Sequence, residues 1–312
     1  MKDLSHLPLA SQTTERMFRT PDEESLLSES IARWLKQHND ERTAQWEAER
    51  AARAEEITAR FWHSWGGMCS RKIAYMMAGT PEEPPDTATL WRFMTGQMGH
   101  DIVQGAVTAF PPDGYEVTHE VRCTLEDGFT SGRADTVLKS DDELIVLEYK
   151  TDGGTGYKRK IGVGSQAEGP AMTAVVQGSM NAVALGATKL IVNFFALENV
   201  SLGMARKHKL THPTARFMGQ WTLTPQQFTP IANSELIRAH GIIEKMEAHG
   251  GDPNCIATFV PHSGMPKGAR ITNPAKSIWT LIENDKVVDT GSVWYGAYCD
   301  YCPFQAICKE SS

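Results

Sequence analysis

The alternation of apolar and polar residues along the chain predicts a sheet in its middle third. Between Tyr115 and Leu125 the two kinds of side chain alternate, which is typical of a half-buried strand. An Asp127-Gly128 turn leads into a second predicted strand, Phe129 to Leu138. A third strand, Leu144 to Lys150, is apolar on both faces, so we expect it at the centre of the sheet.

Helical periodicity surrounds these strands. Helices are predicted at about 86–110 and 171–185, followed by a strand at 189–196 and a helix near 225–248. This order predicts an α/β (α+β) core with a central mixed sheet flanked by helices. Gly96 and Gly99 interrupt the first helix, which indicates that something packs or binds close to its backbone.

The N-terminal part of the chain has a different pattern. Residues 1–20 show no periodicity, and the sequence after Pro21 predicts two helices separated by Asn39-Asp40. The second of them, within 41–60, is rich in alanine and charge. We therefore expect residues 1–60 to form a helical appendage, either a solvated cover or a partner-binding element. Residues 61–312 would then form the main domain.

Composition and charge narrow the classes of function. The chain has 312 residues, of which 41% are hydrophobic and 22% charged, as in globular proteins. A net charge of −7 excludes a surface that is basic all over, so nucleic acid would have to bind in a local groove. No apolar run approaches the ~20 residues that span a bilayer, and no signal-peptide pattern is present. We expect a cytoplasmic protein without a membrane partner.

Three charged residues are predicted to meet on the central strands. Glu148 and Lys150 are two positions apart and therefore share a face. If the preceding turn is centred between positions 141 and 142, paired residue numbers add up to 283, and Asp135 lies opposite Glu148. Two adjacent carboxylates repel unless a cation lies between them, and oxygen ligands suit Mg²⁺ or Mn²⁺. The alternative is a surface hairpin with an ordinary ion pair.

The cysteines form a second candidate site. Three of the six have the spacing C-x₂-C-x₅-C, namely Cys299, Cys302 and Cys308, and Cys69 is the best candidate for a fourth ligand. In a protein without export signals, metal ligation is favoured over disulfides. Four thiolates suit either Zn²⁺ or a [4Fe–4S] cluster, and spacing alone leaves both open. Such a site would join the N- and C-terminal parts of the main domain.

The motifs Gly132-Arg133-Ala134-Asp135 and Glu148-Tyr149-Lys150 resemble the PD-(D/E)XK nuclease superfamily. One cysteine before them and three after them resemble its RecB-like iron–sulfur branch, which includes the AddB nuclease domain and the CRISPR-associated exonucleases of Cas family four. The resemblance covers about residues 64–195 and 295–308. It implies an Mg²⁺- or Mn²⁺-dependent deoxyribonuclease, in particular a single-strand exonuclease, and a structural [4Fe–4S] cluster ahead of zinc.

The resemblance also implies roles for single residues. Asp135, Glu148, His100 and the carbonyl of Tyr149 would bind the divalent metal. Lys150 would position or deprotonate the attacking water. Gln177 would lie near the metal or the water, although Asn181 stands where the family pattern has a tyrosine.

Basic residues after the third strand are candidates for DNA contact. Lys158, Arg159 and Lys160 would bind phosphates and Tyr157 would stack on a base, with a solvated loop as the alternative. The expected partner is DNA, single-stranded or with free ends, in repair, recombination, phage DNA metabolism or CRISPR adaptation. We expect any helicase, integrase-type or recombination partner to be a separate chain. The alternative function is a non-catalytic DNA-binding or assembly subunit with the same fold.

Overall fold

The computed structural model describes residues 28–51, 60–164, 167–210, 212–256 and 302–310. The chain divides into two compact units, Met1–Glu49 and Arg50–Ser312. In the first unit the structure describes residues from Ser28 onward, which belong to helix α1, Ser28–Ala51. No helix of the described residues is both long enough and apolar enough to cross a membrane.

Helix α1 is continuous, so the predicted break at Asn39-Asp40 is wrong. Lys36 Nζ donates to Asp40 Oδ2 over 2.7 Å, and Gln37 Nε2 donates to Glu41 Oε1 over 2.8 Å. Both bonds join residues four positions apart, which lie on the same side of a helix and support it. The local preference of Asn and Asp for turns is outweighed here by these pairs.

The second unit contains a mixed sheet of six strands. In chain order the strands are β1 (Phe61–Trp62), β2 (Glu116–Leu125), β3 (Thr130–Lys139), β4 (Leu144–Asp152), β5 (Lys189–Ala196) and β6 (Met218–Leu223). Strand β4 lies between β3, to which it is antiparallel, and β5, to which it is parallel. Strand β1 is parallel to β3, while β2 pairs with β3 and β6 pairs with β5 in antiparallel fashion. The predicted mixed sheet and its central third strand are confirmed.

Helices flank this sheet. They are α2 (Ser70–Met77), α3 (Thr87–Ala109), α4 (Gly154–Lys160), α5 (Met172–Ala184), α6 (Leu202–Lys207), α7 (Pro225–Ala248) and α8 (Gln305–Glu310). Short 3₁₀ turns lie at His63–Trp65, Pro213–Arg216 and Pro253–Cys255. The predicted bounds of α3, α5 and α7 are confirmed to within a residue or two.

Strand β4 is covered on both faces, which explains why its sequence is apolar on both. On one face Val146 belongs to the main core, together with Met180 of α5. On the other face Leu147 belongs to a smaller core that packs against Val103 and Val107 of α3. The charged residues that end β4 therefore emerge between two packed helices.

Candidate active site

The register of β3 and β4 matches the prediction. The four observed pairs, Thr136 with Leu147 through Lys139 with Leu144, all have residue numbers that add up to 283. The ladder ends at Thr136 and Leu147, and the next positions in this register are Asp135 and Glu148. The two strands stop pairing at the point where the two carboxylates lie.

Asp135 and Glu148 are both buried, with exposed fractions of 7% and 0%. Asp135 Oδ2 accepts a hydrogen bond of 2.7 Å from the Tyr149 N–H. Lys150 Nζ donates to Glu148 Oε1 over 2.6 Å, whereas Glu148 Oε2 is buried and has no hydrogen-bond partner in the described part of the chain. An ordinary surface ion pair is therefore excluded.

Helix α5 completes this carboxylate cluster, which we define as Asp135, Glu148, Lys150 and Gln177. Gln177 Oε1 accepts a hydrogen bond of 3.3 Å from Lys150 Nζ. The next residue, Gly178, allows the close approach: a Cβ there would lie 3.3 Å from Glu148 Cβ and 2.9 Å from Leu190 Cδ1. Lys150 is thus held between a carboxylate of its own strand and an amide of the helix.

Helix α3 approaches the end of β4 from the other face. A Cβ on Gly99 would clash with Thr151 Cγ2, and one on Gly96 would lie 3.5 Å from Thr151 Oγ1, which confirms that another segment packs against these glycines. The neighbouring His100 Nδ1 lies 3.9 Å from Asp135 Oδ1, too far for a hydrogen bond. The His100 ring meets the Tyr149 ring edge-on, with 6.0 Å between centroids.

The charges of the carboxylate cluster do not balance, because two carboxylates face one ammonium group. Burial, aided by the charge of Asp135, raises the pKa of Glu148 to about 8. Burial also raises the pKa of Asp135. Burial alone would lower the pKa of Lys150, but Glu148 and Asp135 outweigh it and the pKa is raised. Lys150 therefore stays protonated, and a further positive charge next to the two carboxylates would favour their ionised forms.

The donors of the cluster fit a divalent cation bound by oxygen. Glu148 Oε2 has no hydrogen-bond partner among the described residues, and Asp135 Oδ1 faces His100 at 3.9 Å. Within the described ranges, however, no three His, Cys, Asp or Glu side chains already lie close enough together to bind a metal ion. The ligand set of His100, Asp135, Glu148 and the Tyr149 carbonyl stays a prediction.

Glu120 is a further carboxylate at the site, and sequence analysis missed it. The register of β2 and β3 has residue numbers adding up to 255, so Glu120 lies opposite Asp135. Its backbone is left-handed, with φ of 54°, which is uncommon outside glycine. Gln104 Nε2 of α3 donates both to Glu120 Oε1 over 2.9 Å and to the Asp135 carbonyl over 3.2 Å. Register arithmetic around the Asp127-Gly128 turn would have found this residue.

Asn181, where the family pattern has a tyrosine, belongs to a buried polar network. Its Oδ1 accepts from His63 Nδ1 over 2.8 Å and from Cys123 Sγ over 3.3 Å, and its Nδ2 donates to the Arg133 carbonyl over 3.2 Å. Burial lowers the pKa of His63 to about 4, so the ring is neutral and its Nε2 accepts from Thr130 Oγ1 over 2.9 Å. The network fastens α5 to β3 and thereby fixes the position of Gln177.

Tyr157 cannot stack on a base as predicted, because it is fully buried. Its hydroxyl donates a hydrogen bond of 2.9 Å to the Ala215 carbonyl. The segment expected to be a loop forms α4, which turns this ring into the main core.

The three basic residues of α4 have different surroundings. Lys160 forms an ion pair with Asp152, and its Nζ lies 4.8 Å from the centroid of the Phe194 ring. Its charge is therefore already paired within the protein. Lys158 is half-buried and Arg159 is exposed. Lys158 and Arg159 stay predicted phosphate contacts, whereas Lys160 has structural partners that explain it.

Two distant parts of the chain meet near the predicted cysteine ligands. Cys69 immediately precedes α2, while Cys302 and Cys308 belong to the segment 302–310, and Cys299 lies outside the described residues. The Glu83 N–H donates to the Pro303 carbonyl over 3.0 Å, and the rings of Tyr75 and Phe304 have centroids 5.2 Å apart. We call Cys69, α2, the turn Pro253–Cys255 and the segment 302–310 the cysteine region. The four-cysteine site itself stays a prediction.

Comparison with known proteins gives only distant similarity. No protein-family model matches the chain, and no curated protein matches it in sequence. The solved structure of SSO0001 is similar at 12% identity and a TM-score of 0.43, covering 92% of this chain and 98% of that one. The alkaline exonuclease LHK-Exo from Laribacter hongkongensis is similar at 11% identity and a TM-score of 0.38, covering 61% and 93%. A phage-related exonuclease from Haemophilus somnus 129PT is similar at 10% identity and a TM-score of 0.37, covering 58% and 82%.

Proposed function

We propose that the protein is a metal-dependent DNA nuclease that hydrolyses phosphodiester bonds. The observation that carries this proposal is the carboxylate cluster, in which two buried carboxylates share one lysine and Glu148 keeps an oxygen without a hydrogen-bond partner among the described residues. A buried excess of negative charge is unfavourable until a cation compensates it. The motif resemblance supplies DNA as the substrate and single strands with free ends as the preferred form.

Each residue of the cluster has a task in such a reaction. A bound Mg²⁺ or Mn²⁺ would supply Lewis-acid activation of the phosphodiester and stabilise its developing negative charge. Glu148 Oε2 and Asp135 Oδ1 are the oxygens best placed to hold the cation. Lys150 Nζ, fixed by Glu148 and Gln177 and protonated, can orient the attacking water and stabilise negative charge that develops on the phosphate.

The proposal includes a cysteine-ligated centre, a [4Fe–4S] cluster with zinc as the alternative. Cys69 lies next to a helix that contacts the segment carrying Cys302 and Cys308. A centre made of these thiolates and Cys299 would close the domain and take no part in the hydrolysis. Arg159 and Lys158 would bind the phosphates of the strand.

Cleavage of end-labelled single-stranded DNA with Mn²⁺ tests the hydrolysis. We expect Glu148→Ala and Lys150→Ala each to reduce the rate by at least about 100-fold, because each removes a group that acts on the reacting atoms. Lys189→Ala is the matched control, since Lys189, the first residue of β5, pairs with the half-buried Glu143, which immediately precedes β4. Circular dichroism checks that the variants fold, and a circular single strand separates endonuclease from exonuclease activity.

Two outcomes would contradict the proposal in different ways. Activity that survives both substitutions would place the active site elsewhere. A native protein that cuts no substrate with either metal, but binds DNA, would favour the non-catalytic subunit.

A further inference from the structure

Arg71, in the first turn of α2, is a buried cation whose contacts are unusual. Its exposed fraction is 7%. Its Nε donates to the Ile256 carbonyl over 2.6 Å and its Nη2 to the Asn254 carbonyl over 3.3 Å. Its Nη1 donates to Cys308 Sγ over 3.8 Å. In the part of the chain that the structure describes, no carboxylate pairs with it.

A second arginine near Cys69, with a side chain that is 8% exposed, has the negative partner that Arg71 lacks among the described residues. Arg238 of α7 forms an ion pair with the buried Glu235, and its Nη1 also donates to the Met68 carbonyl and to Ser70 Oγ, on either side of Cys69. Arg238 is therefore compensated in the ordinary way. Arg71 has a cysteine sulfur in the place where Arg238 has a carboxylate.

A guanidinium group stays charged at every physiological pH, so Arg71 needs a negative partner. Two of its three contacts are carbonyl oxygens, which satisfy hydrogen bonds but not charge. Cys308 is the remaining contact, and it carries a negative charge when its thiolate binds a metal. Four thiolates outweigh the positive charge of a Zn²⁺ ion or of the core of a [4Fe–4S] cluster, so such a centre is anionic as a whole.

We propose that Arg71 is the counter-ion of the cysteine centre, holding Cys308 against α2 and the turn Pro253–Cys255. The inference rests on the cysteine centre of the proposed function and adds a residue that no ligand pattern contains. The role of Arg71 is to position and to compensate, not to ligate.

If Arg71 has this role, removing its charge should affect the protein with its centre and the protein without it in opposite directions. In the protein with its centre formed, removing the charge of Arg71 leaves an uncompensated anionic centre and weakens metal retention. In the protein stripped of its centre, Arg71 is itself the uncompensated buried charge, so replacing it with methionine is neutral or stabilising. If Arg71 only donated hydrogen bonds to the Asn254 and Ile256 carbonyls, its substitution would reduce stability equally in the loaded and the stripped protein.

The test compares Arg71→Met and Arg71→Lys with Lys72→Met in the full chain. Lys72 is the half-buried neighbour of Arg71 on α2, so its substitution removes the same charge from the same helix. Loss of iron, followed as absorbance at about 400 nm, or loss of zinc to EDTA measures retention. Thermal unfolding is recorded for the loaded and the stripped protein.

We expect Arg71→Met to lose its metal about tenfold faster than the native chain or more, since partners of metal ligands typically contribute that much. The melting temperature should fall in the loaded form and stay equal or rise in the stripped form. Arg71→Lys should retain metal much better than Arg71→Met, and Lys72→Met should behave as the native chain.

The failures are distinguishable. If the native protein contains neither iron nor zinc, the proposal of a cysteine centre is wrong, and so is the role proposed for Arg71. Equal retention in the native chain and Arg71→Met, or a lower melting temperature in both forms, would overturn the role of Arg71 and leave the centre standing. If Arg71→Met does not fold, Arg71→Lys and Arg71→Gln decide: equal metal loss in the two overturns the role of the charge.

Discussion

The carboxylate cluster and the cysteine region contain buried charge of opposite sign. In the first, Asp135 and Glu148 face the single cation Lys150. In the second, Arg71 lies beside Cys308 and has no carboxylate partner among the described residues. Because an uncompensated charge is unfavourable away from water, each region indicates the sign of what it binds. These signs agree with the divalent cation proposed for the first region and the anionic thiolate centre proposed for the second.

The two regions also differ in how the chain builds them. The carboxylate cluster takes its residues from β3, β4 and α5, all within residues 130–184. The contact between Arg71 and Cys308 joins residues 237 positions apart. The first region therefore depends on local register, and the second depends on the whole domain having closed.

The largest expected effect comes from Lys150→Met, which leaves Asp135 and Glu148 buried without their cation. Removing one partner of a buried ion pair costs about 3–5 kcal/mol, and the Lys150 side chain is 32% exposed, so we expect a loss of about 3 kcal/mol in the metal-free protein. Mn²⁺ should restore more stability to the variant than it adds to the native chain, because it replaces the missing charge. Denaturant unfolding with and without Mn²⁺ measures both effects.

Lys189→Met is the control for this substitution. Lys189 Nζ lies 2.9 Å from Glu143 Oε1, and the two side chains are 35% and 36% exposed. Solvent screens this partly exposed pair, so the variant should lose much less stability than Lys150→Met and respond to Mn²⁺ as the native chain does. Equal losses in the two lysine variants would contradict the charge imbalance described for the cluster.

The carboxylate cluster could be predicted from the sequence because local rules determine it. The position of one turn sets the register that places Asp135 beside Glu148, and alternation sets the faces. The same arithmetic at the preceding turn places Glu120 opposite Asp135. The left-handed backbone of Glu120 could not have been predicted from the sequence. The glycines of α3 predict that another segment packs closely at Gly99. The sequence does not predict that this segment is the end of β4, with Thr151.

The features that could not be predicted depend on tertiary contacts. Tyr157 lies in a glycine-rich stretch that has the pattern of an exposed loop, but its ring is buried by packing against residues distant in sequence. Arg71 belongs to no motif that was recognised, and its importance depends on a sulfur at the other end of the chain. Sequence patterns reveal which residues share a face, and they do not reveal which faces meet.

A smaller effect is expected from Gly99→Ala, which disturbs the carboxylate cluster without changing any charge. The added Cβ would clash with Thr151 Cγ2 at the end of β4 and push α3, with His100, away from Asp135. Overpacking of this kind costs about 1–3 kcal/mol, so we expect a loss of about 2 kcal/mol and weaker Mn²⁺ binding. Metal retention in the cysteine region should be unchanged.

Gly105→Ala on the same helix provides the comparison for Gly99→Ala. No atom outside its own helix lies within 4 Å of a Cβ at Gly105, so alanine there should stabilise the protein by about 0.5–1 kcal/mol through helix propensity alone. Opposite signs for the two substitutions would locate the close contact at Thr151. A native-like Gly99→Ala would contradict it.

The last expected effect is a pH dependence of the carboxylate cluster. Burial, aided by Asp135, raises the pKa of Glu148 from 4.5 to about 8. In the metal-free protein the folded state keeps a proton that the unfolded chain releases, so the stabilisation by this proton is complete below about pH 4.5 and is lost as pH rises to about 8. A cation binds the ionised carboxylate and must displace the proton. The affinity for Mn²⁺ should therefore rise up to about tenfold per pH unit below pH 8 and level off above it.

Thermal unfolding at fixed Mn²⁺ concentration from about pH 6 to about pH 8 measures this dependence. Glu148→Gln removes the titrating group, so this variant should lose the pH dependence that the native chain shows both with and without Mn²⁺. A native Mn²⁺ shift that is already constant over this range would mean that Glu148 is ionised in the metal-free protein. Lys150 alone would then be sufficient to keep both carboxylates ionised. The carboxylate cluster would not lack positive charge, and only the cysteine region, with Arg71, would contain an uncompensated charge.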